Sequence, residues 1–165
     1  YANSAVNSAT ELSIDDRVDF TGEVDDSELT EILETSHVLC VPSRYEGFGM
    51  GYLEAMEYGV VPIATRRGGA NEFITDGENG AIVDPANTDQ IAGLLAELAT
   101  ERGRLADLGV AALDTAATHP TWDETLAEIR SYLQAAATGG TPSDVDSTTT
   151  VSDQPKRQQQ QNNEL

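Results

Sequence analysis

Residues 43–59 read SRYEGFGMGYLEAMEYG. Glu46 and Glu54 stand with seven residues between them, and in that interval Gly47, Gly49 and Gly51 alternate with Phe48 and Met50. Glycine in a helical turn costs about 1 kcal/mol per site relative to alanine, so three of them at a helix start need a reason. Close approach of a ligand to bare backbone is one, because unpaired N–H groups and the positive end of the helix dipole favour an anion, usually a phosphate. With a helix starting near Phe48 or Gly49, Glu54 falls in its second turn and leans back toward the glycines. Glu46 lies in the loop just outside, so both acids look into one opening while Leu53 and Met56 turn toward a core. Carboxylates repel phosphate but accept hydrogen bonds from hydroxyls, leaving the amides to hold a diphosphate. Anion plus polyol points to a nucleotide sugar. Spacing alone leaves a second reading open, in which both glutamates are solvated and the glycines only fit the helix against a strand.

Outward from this stretch, strands and helices alternate. Residues 18–20 form a short strand ending at Thr21 and Gly22, after which Asp26 or Ser27 caps a helix through Glu34. Residues 38–41 form a buried strand, and Gly59 closes the central helix with a left-handed turn. Residues 60–64 are the next strand, followed by the loop RRGGAN, a short turn of helix over 72–74, and a last strand over 81–83. Beyond Pro85 three helical stripes follow: Ile91, Leu94, Leu95 and Leu98; Leu105, Leu108 and Ala112; Trp122, Leu126, Ile129 and Leu133. Trp122 and Tyr132 are read as packing residues. From residue 138 on, polar residues dominate and a disordered tail is expected.

The formal net charge is -20. Seven arginines and no lysine precede residue 138; the sole lysine is Lys156. Such a surface suits a salt-rich, halophilic cytoplasm, where at about 1 M the screening length falls to about 3 Å. It argues against a nucleic-acid partner. No stretch reaches the apolar length of a membrane span and no secretory signal is legible, so a cytoplasmic location is expected. Peripheral membrane association stays open, although an acidic surface disfavours anionic lipid heads. Cys40, the only cysteine, sits in an apolar run and reads as core rather than nucleophile. Asp144 and Asp146 spell a D-x-D, but in a flexible segment nothing fixes them for a metal. His37 and His119 lack partners at metal-ligand spacing and read as element ends, so no metal site and no cofactor are expected.

The stretch resembles the E-x7-E signature of retaining GT4-type glycosyltransferases of the GT-B fold. DRVDFTGEV, HVLCVPS, LEAMEYGVVPIAT, GGANEF, DGENGAIVDP and HPTWDETLAEIRSYL follow in the family's order, over about residues 14–134. The resemblance implies an α/β fold, a partial doubly wound Rossmann-like parallel sheet forming the C-terminal half of a GT-B fold over residues 1–137, with C-terminal helices and then the tail, 138–165. It further implies that Glu46 contacts the donor sugar, as the catalytic position, and that the amides of Gly47, Phe48, Gly49 and Met50 hold sugar and diphosphate. Glu54 would take the ribose, and the turn from Gly22 to Val24 would lie against the base. Gly51, Tyr52 and His37 depart from the family's commoner residues. Glu72 matches a family acid at the site's rim or simply stabilises a helix start, and Arg44, Arg66 and Arg67 either neutralise the diphosphate or are exposed cations.

Family enzymes also have an N-terminal acceptor domain and two earlier strands carrying a basic phosphate-binding pair. The chain is therefore expected to be a fragment, inactive alone, with open strand edges and a gap between the strand at Val18 and that at Val38. The expected function is transfer of a sugar from a UDP- or GDP-sugar to an acceptor, with this chain supplying the donor-binding region. The alternatives are a non-catalytic nucleotide-sugar-binding module or remnant, and a related epimerase.

Overall fold

The computed structural model describes residues 2–137. The expected tail and its Asp144 and Asp146 lie outside them. The described residues fall into two compact units, divided between His119 and Pro120.

The first unit is built on three parallel strands in the order β1 (Val38–Cys40), β2 (Val61–Thr65) and β3 (Ala81–Val83). Val38 pairs with Val61 and Ile63 with Ala81. Every residue of β2 is buried, as expected of a parallel strand covered on both faces. On one face, Ala64 and Ile82 pack against Tyr52, Leu53 and Met56 of α3 (Met50–Met56) and Ala112 of α5 (Arg102–Thr118). On the other, Val61 packs with Leu98 of α4 (Thr88–Thr100) and with Leu105 and Leu108 of α5, while Ile63 and Val83 pack with Ile91 and Leu94. Met56, Ile63 and Leu98 are fully enclosed, each contributing about 1.5–3 kcal/mol by burial.

Pro62 stands in the middle strand, where a missing N–H normally breaks a ladder. The bonds to β1 are made by its neighbours, Val61 N–H to His37 O and Val41 N–H to Ile63 O. Pro62 therefore faces the β3 side, one residue before that pairing begins. Gly80 makes room for it, since a Cβ there would lie 2.7 Å from Pro62 Cγ.

Helix α2 (Asp26–Thr35) is capped by Asp25, one residue earlier than expected. The Asp25 carboxylate accepts from the N–H groups of Ser27 and Glu28, and Glu28 accepts in return from the Asp25 N–H. The bonds donated to the Asp25 carboxylate, from Glu28 N–H foremost and then from the Ser27 hydroxyl and N–H, hold it below its usual range. Leu33 and Leu29 of α2 pack on Ala55 and Val60.

Several boundaries differ from expectation. Residues 18–20 are not a strand: Val18 has extended backbone, φ −129° and ψ 118°, but no strand pairs with it among the described residues, and without a ladder partner extended chain is only coil. With it goes the expected sheet gap between Val18 and Val38. Strand β1 is half-buried rather than buried, unlike β3, the other edge strand, which is buried throughout. The turn expected over 72–74 is a 3₁₀ turn, Gly69–Glu72. A helix without a reading, α1 (Ala2–Glu11), opens the described chain and is followed by a 3₁₀ turn, Asp15–Arg17.

The second unit contains α6 (Trp122–Ala137). Its apolar stripe is at helical spacing, but Trp122 is 70% exposed and Tyr132 44%. The packing role expected of both is not seen in that exposure, because helical spacing by itself says which residues share a face, not that the face is covered.

Gly59 ends α3 as read. Its φ is +71°, its N–H donates to Met56 O, and the next N–H, of Val60, reaches Ala55 O, which closes the helix and turns the chain into β2. A Cβ would be strained there and 3.3 Å from Leu113 Cδ1. Gly59→Ala is expected to lose about 1–2 kcal/mol of stability, measurable as a lower urea midpoint with unchanged slope.

Candidate functional site

The loops that follow β1 and β2 leave the carboxyl ends of adjacent parallel strands, where crevices form in open α/β sheets. They touch through backbone. Glu46 N–H donates to Arg67 O at 3.3 Å, Gly69 N–H donates to Gly47 O at 2.8 Å, and Glu46 bridges Gly68 in parallel register. A Cβ on Gly68 would sit 2.5 Å from Glu46 O, and one on Gly69 2.5 Å from Gly47 O. Only glycine fits at either position. Thr65 Oγ1 donates to Ser43 O at 2.7 Å, and Asn71 Nδ2 donates to Gly68 O at 2.8 Å, closing the second loop on itself.

The glycines in the first loop differ from one another. Gly49 is the N-cap of α3, which starts at Met50 rather than at Phe48 or Gly49. Its φ of +95° requires glycine, and a Cβ would lie 2.9 Å from the Tyr52 ring. Over Gly47 and Gly51 the space is open, so packing does not demand a glycine at either. The N–H groups of residues 47–51 have no acceptor recorded among the described residues. Backbone without a recorded partner thus runs along the ribbon, at exposed residues 47, 48, 50 and 51 and at the buried Gly49.

A cleft of about 140 Å³ opens here, lined by Leu39, Val41, Glu46, Gly49, Gly51 and Tyr52. Glu46 is half-buried in it and Glu54 is exposed. Glu54 is not among the lining residues; it follows Gly51, which is, by three positions on α3 and so shares its helical face. Phe48 and Met50 are exposed on the ribbon. Gly22, in a left-handed turn at φ +70°, and Val24, half-buried, do not line the cleft either. Glu72 is exposed at the end of the turn behind Gly69.

Tyr52 was legible only as a departure from the family's pattern. Its ring is buried and its hydroxyl donates to Val41 O at 2.8 Å, tying α3 to the end of β1. Burial first, then the negative charge of Glu46 and of Cys40, push its pKa up to about 12. Cys40 packs beside Ile63 and Val83, and burial raises its thiol pKa, as befits a core residue. Arg66 pairs with Asp84 at 3.2 Å. His37 opens β1, its Nε2 3.0 Å from the Arg102 guanidinium, and His119 ends α5. No helix among the described residues is long and apolar enough to cross a membrane.

The family model described as "Glycosyl transferases group 1" matches residues 1–114, and the chain belongs to that family. It is 37% identical over 100 residues to the MMP alpha-(1->4)-mannosyltransferase of Mycolicibacterium hassiacum, covering 60% of this chain and 24% of that protein. It is 30% identical over 141 residues to the GDP-mannose-dependent alpha-(1-6)-phosphatidylinositol monomannoside mannosyltransferase of Mycobacterium tuberculosis, covering 81% and 37%. The chain thus spans only about a quarter to two fifths of the length of these curated relatives. Among solved structures, the C-terminal domain of a glycosyl transferase group 1 family protein from Francisella tularensis superposes with a TM-score of 0.66 at 28% identity, over 71% of this chain and 60% of that one. Anabaena HepE, solved in complex with UDP, has the same fold, with a TM-score of 0.75 at 22% identity over 82% and 37%. The fold is a Rossmann-like part of a GT-B glycosyltransferase.

Replacing Tyr52 by Phe removes the hydrogen bond to Val41 and is expected to cost about 1 kcal/mol at neutral pH. A folded-state pKa of about 12 against about 10 unfolded means this residue's contribution is complete below about pH 10 and is lost as pH rises toward about 12. Urea titrations should find wild type declining more steeply than Tyr52→Phe between those values.

Proposed function

We propose that this chain is the donor-binding region of a retaining, GT4-type glycosyltransferase that moves a hexosyl group from a UDP- or GDP-sugar to an acceptor. The observation that carries the reading is the cleft in which Glu46 meets the left-handed Gly49 and the open backbone of Gly51. Membership of the family supports it, as do the GDP-mannose dependence in one relative's name and the UDP bound in one structural neighbour.

In this reading the amides of Gly47, Phe48, Gly49 and Met50 hold the diphosphate, Glu46 accepts hydrogen bonds from the donor sugar, and Glu54 accepts from the ribose. The turn from Gly22 to Val24 lies against the base. At about 140 Å³ the cleft is smaller than the roughly 300–1,000 Å³ of most ligand sites, so it takes the diphosphate and part of the sugar, with the nucleoside beyond it. As the bond from the anomeric carbon to the diphosphate breaks, charge grows on the leaving oxygen, where preorganised N–H groups stabilise it. The acceptor oxygen bonds to the same carbon from the same face and its proton passes to the departing phosphate. Glu46 is catalytic in the sense that it orients the sugar for this step. Transfer itself is expected when this region is joined to an acceptor-binding one, and the acidic surface suits a cytoplasm at about 1 M salt.

Calorimetry of the full chain in about 1 M KCl should detect binding of GDP or UDP and of GDP-mannose or UDP-glucose. Loss of a charge-assisted hydrogen bond worth about 1.5–3 kcal/mol corresponds to about 10- to 100-fold. Glu54→Ala should therefore weaken nucleotide and nucleotide sugar alike by that factor, and Glu46→Ala the nucleotide sugar alone. No heat with any of the four, or wild-type affinity in both variants, contradicts the proposal.

A further inference from the structure

The Phe48 side chain is 40% exposed and nevertheless held. Its ring centroid lies 5.7 Å from that of Phe73 and 5.9 Å from that of His119, and those two are 5.8 Å apart. The planes meet at 47°, 70° and 85°, the tilted and edge-to-face arrangements that aromatic quadrupoles prefer. The rings come from three segments: the ribbon, the residue after the Gly69–Glu72 turn, and the end of α5.

The two outer rings are fixed by one buried amide. Asn79, 8% exposed, donates through Nδ2 to Phe73 O and to Thr115 Oγ1, both at 2.8 Å, and accepts from Thr75 N–H at 2.7 Å. Both amide donors and the carbonyl oxygen are used. Thr115 lies one turn before His119 on α5, so Asn79 sets the distance between the segment bearing Phe73 and the helix end bearing His119.

Phe48 has glycine on either side, and glycine leaves the backbone free. The bond from Gly69 N–H to Gly47 O restrains the ribbon on one side only. We propose that Phe73 and His119 are positioning residues for the donor site: by holding the Phe48 ring they fix the peptide planes of Gly47–Phe48 and Phe48–Gly49, and with them the direction of the amides offered to a diphosphate. Neither touches the ligand. The inference rests on the donor-binding reading above and adds to it the means by which a glycine-flanked ribbon is kept ready.

The test is a titration of the full ¹⁵N-labelled chain with GDP, UDP and inorganic pyrophosphate, following the backbone amide signals of Gly47 and Gly49, with Gly59 as the reporter of an intact fold. In Phe73→Leu and His119→Ala, the Gly47 and Gly49 signals should be displaced before any ligand is added and the binding midpoint raised about tenfold, with Gly59 unmoved. Phe73→Tyr keeps the ring and should restore the wild-type midpoint. If both ring-removing variants bind with wild-type midpoints and lose only thermal stability, the rings are packing and the proposal is overturned; should Phe73→Leu not fold, His119→Ala decides by the same criterion. A wild-type chain whose Gly47 and Gly49 signals respond to none of the three probes overturns the donor-binding reading itself, before any variant is made.

Discussion

The hydrogen bond from Gly69 N–H to Gly47 O, 2.8 Å long, brings two loops together main chain to main chain. It exists because Gly68 and Gly69 have no Cβ to keep Glu46 and Gly47 away. It sits where it does because β1 and β2 are parallel neighbours, so their carboxyl ends and the loops that leave them emerge side by side. The Gly47 carbonyl is occupied by Gly69, and the left-handed turn at Gly49 carries the ribbon into α3. Take away that contact and the segment between Glu46 and Gly49, both of which line the cleft, loses its anchor to the second loop.

The rest of the unit serves this arrangement. Tyr52 ties α3 back to the end of β1, and Gly59 returns the chain from α3 into β2. Asn79 joins the loop before β3 to α5, which packs on both faces of the sheet. Each connection is a single side chain or a single left-handed glycine, so the position of the ribbon depends on few groups and can be probed one residue at a time.

Much of this was legible in the sequence because periodicity and glycine chemistry are local. Strand β3 falls where the apolar run Ala81–Val83 put it, the left-handed Gly59 was readable from its place after the helix, and the stripes of α4 and α5 supply the buried Leu98, Leu105 and Leu108. Non-local matters were less legible. Val18 is extended but unpaired among the described residues, since pairing depends on a partner that local sequence does not name. Trp122 is apolar at helical spacing and exposed. At the site, Glu46 and the glycines stood out in the sequence, whereas the backing by Gly68 and Gly69 and the triangle of Phe48, Phe73 and His119 arise from segments up to 71 residues apart that only the fold brings together.

The claim on which the account turns is that the amides from Gly47 to Met50 are unpaired and available while the ribbon carrying them is pinned. Native-state hydrogen exchange of the full chain, with and without GDP, reads both at once. Slow exchange at Gly69 together with fast exchange at Gly47, Phe48, Gly49 and Met50, the latter slowed when GDP is added, is the result expected. Slow exchange across Gly47–Met50 in the free chain, or no change there with GDP, contradicts the account.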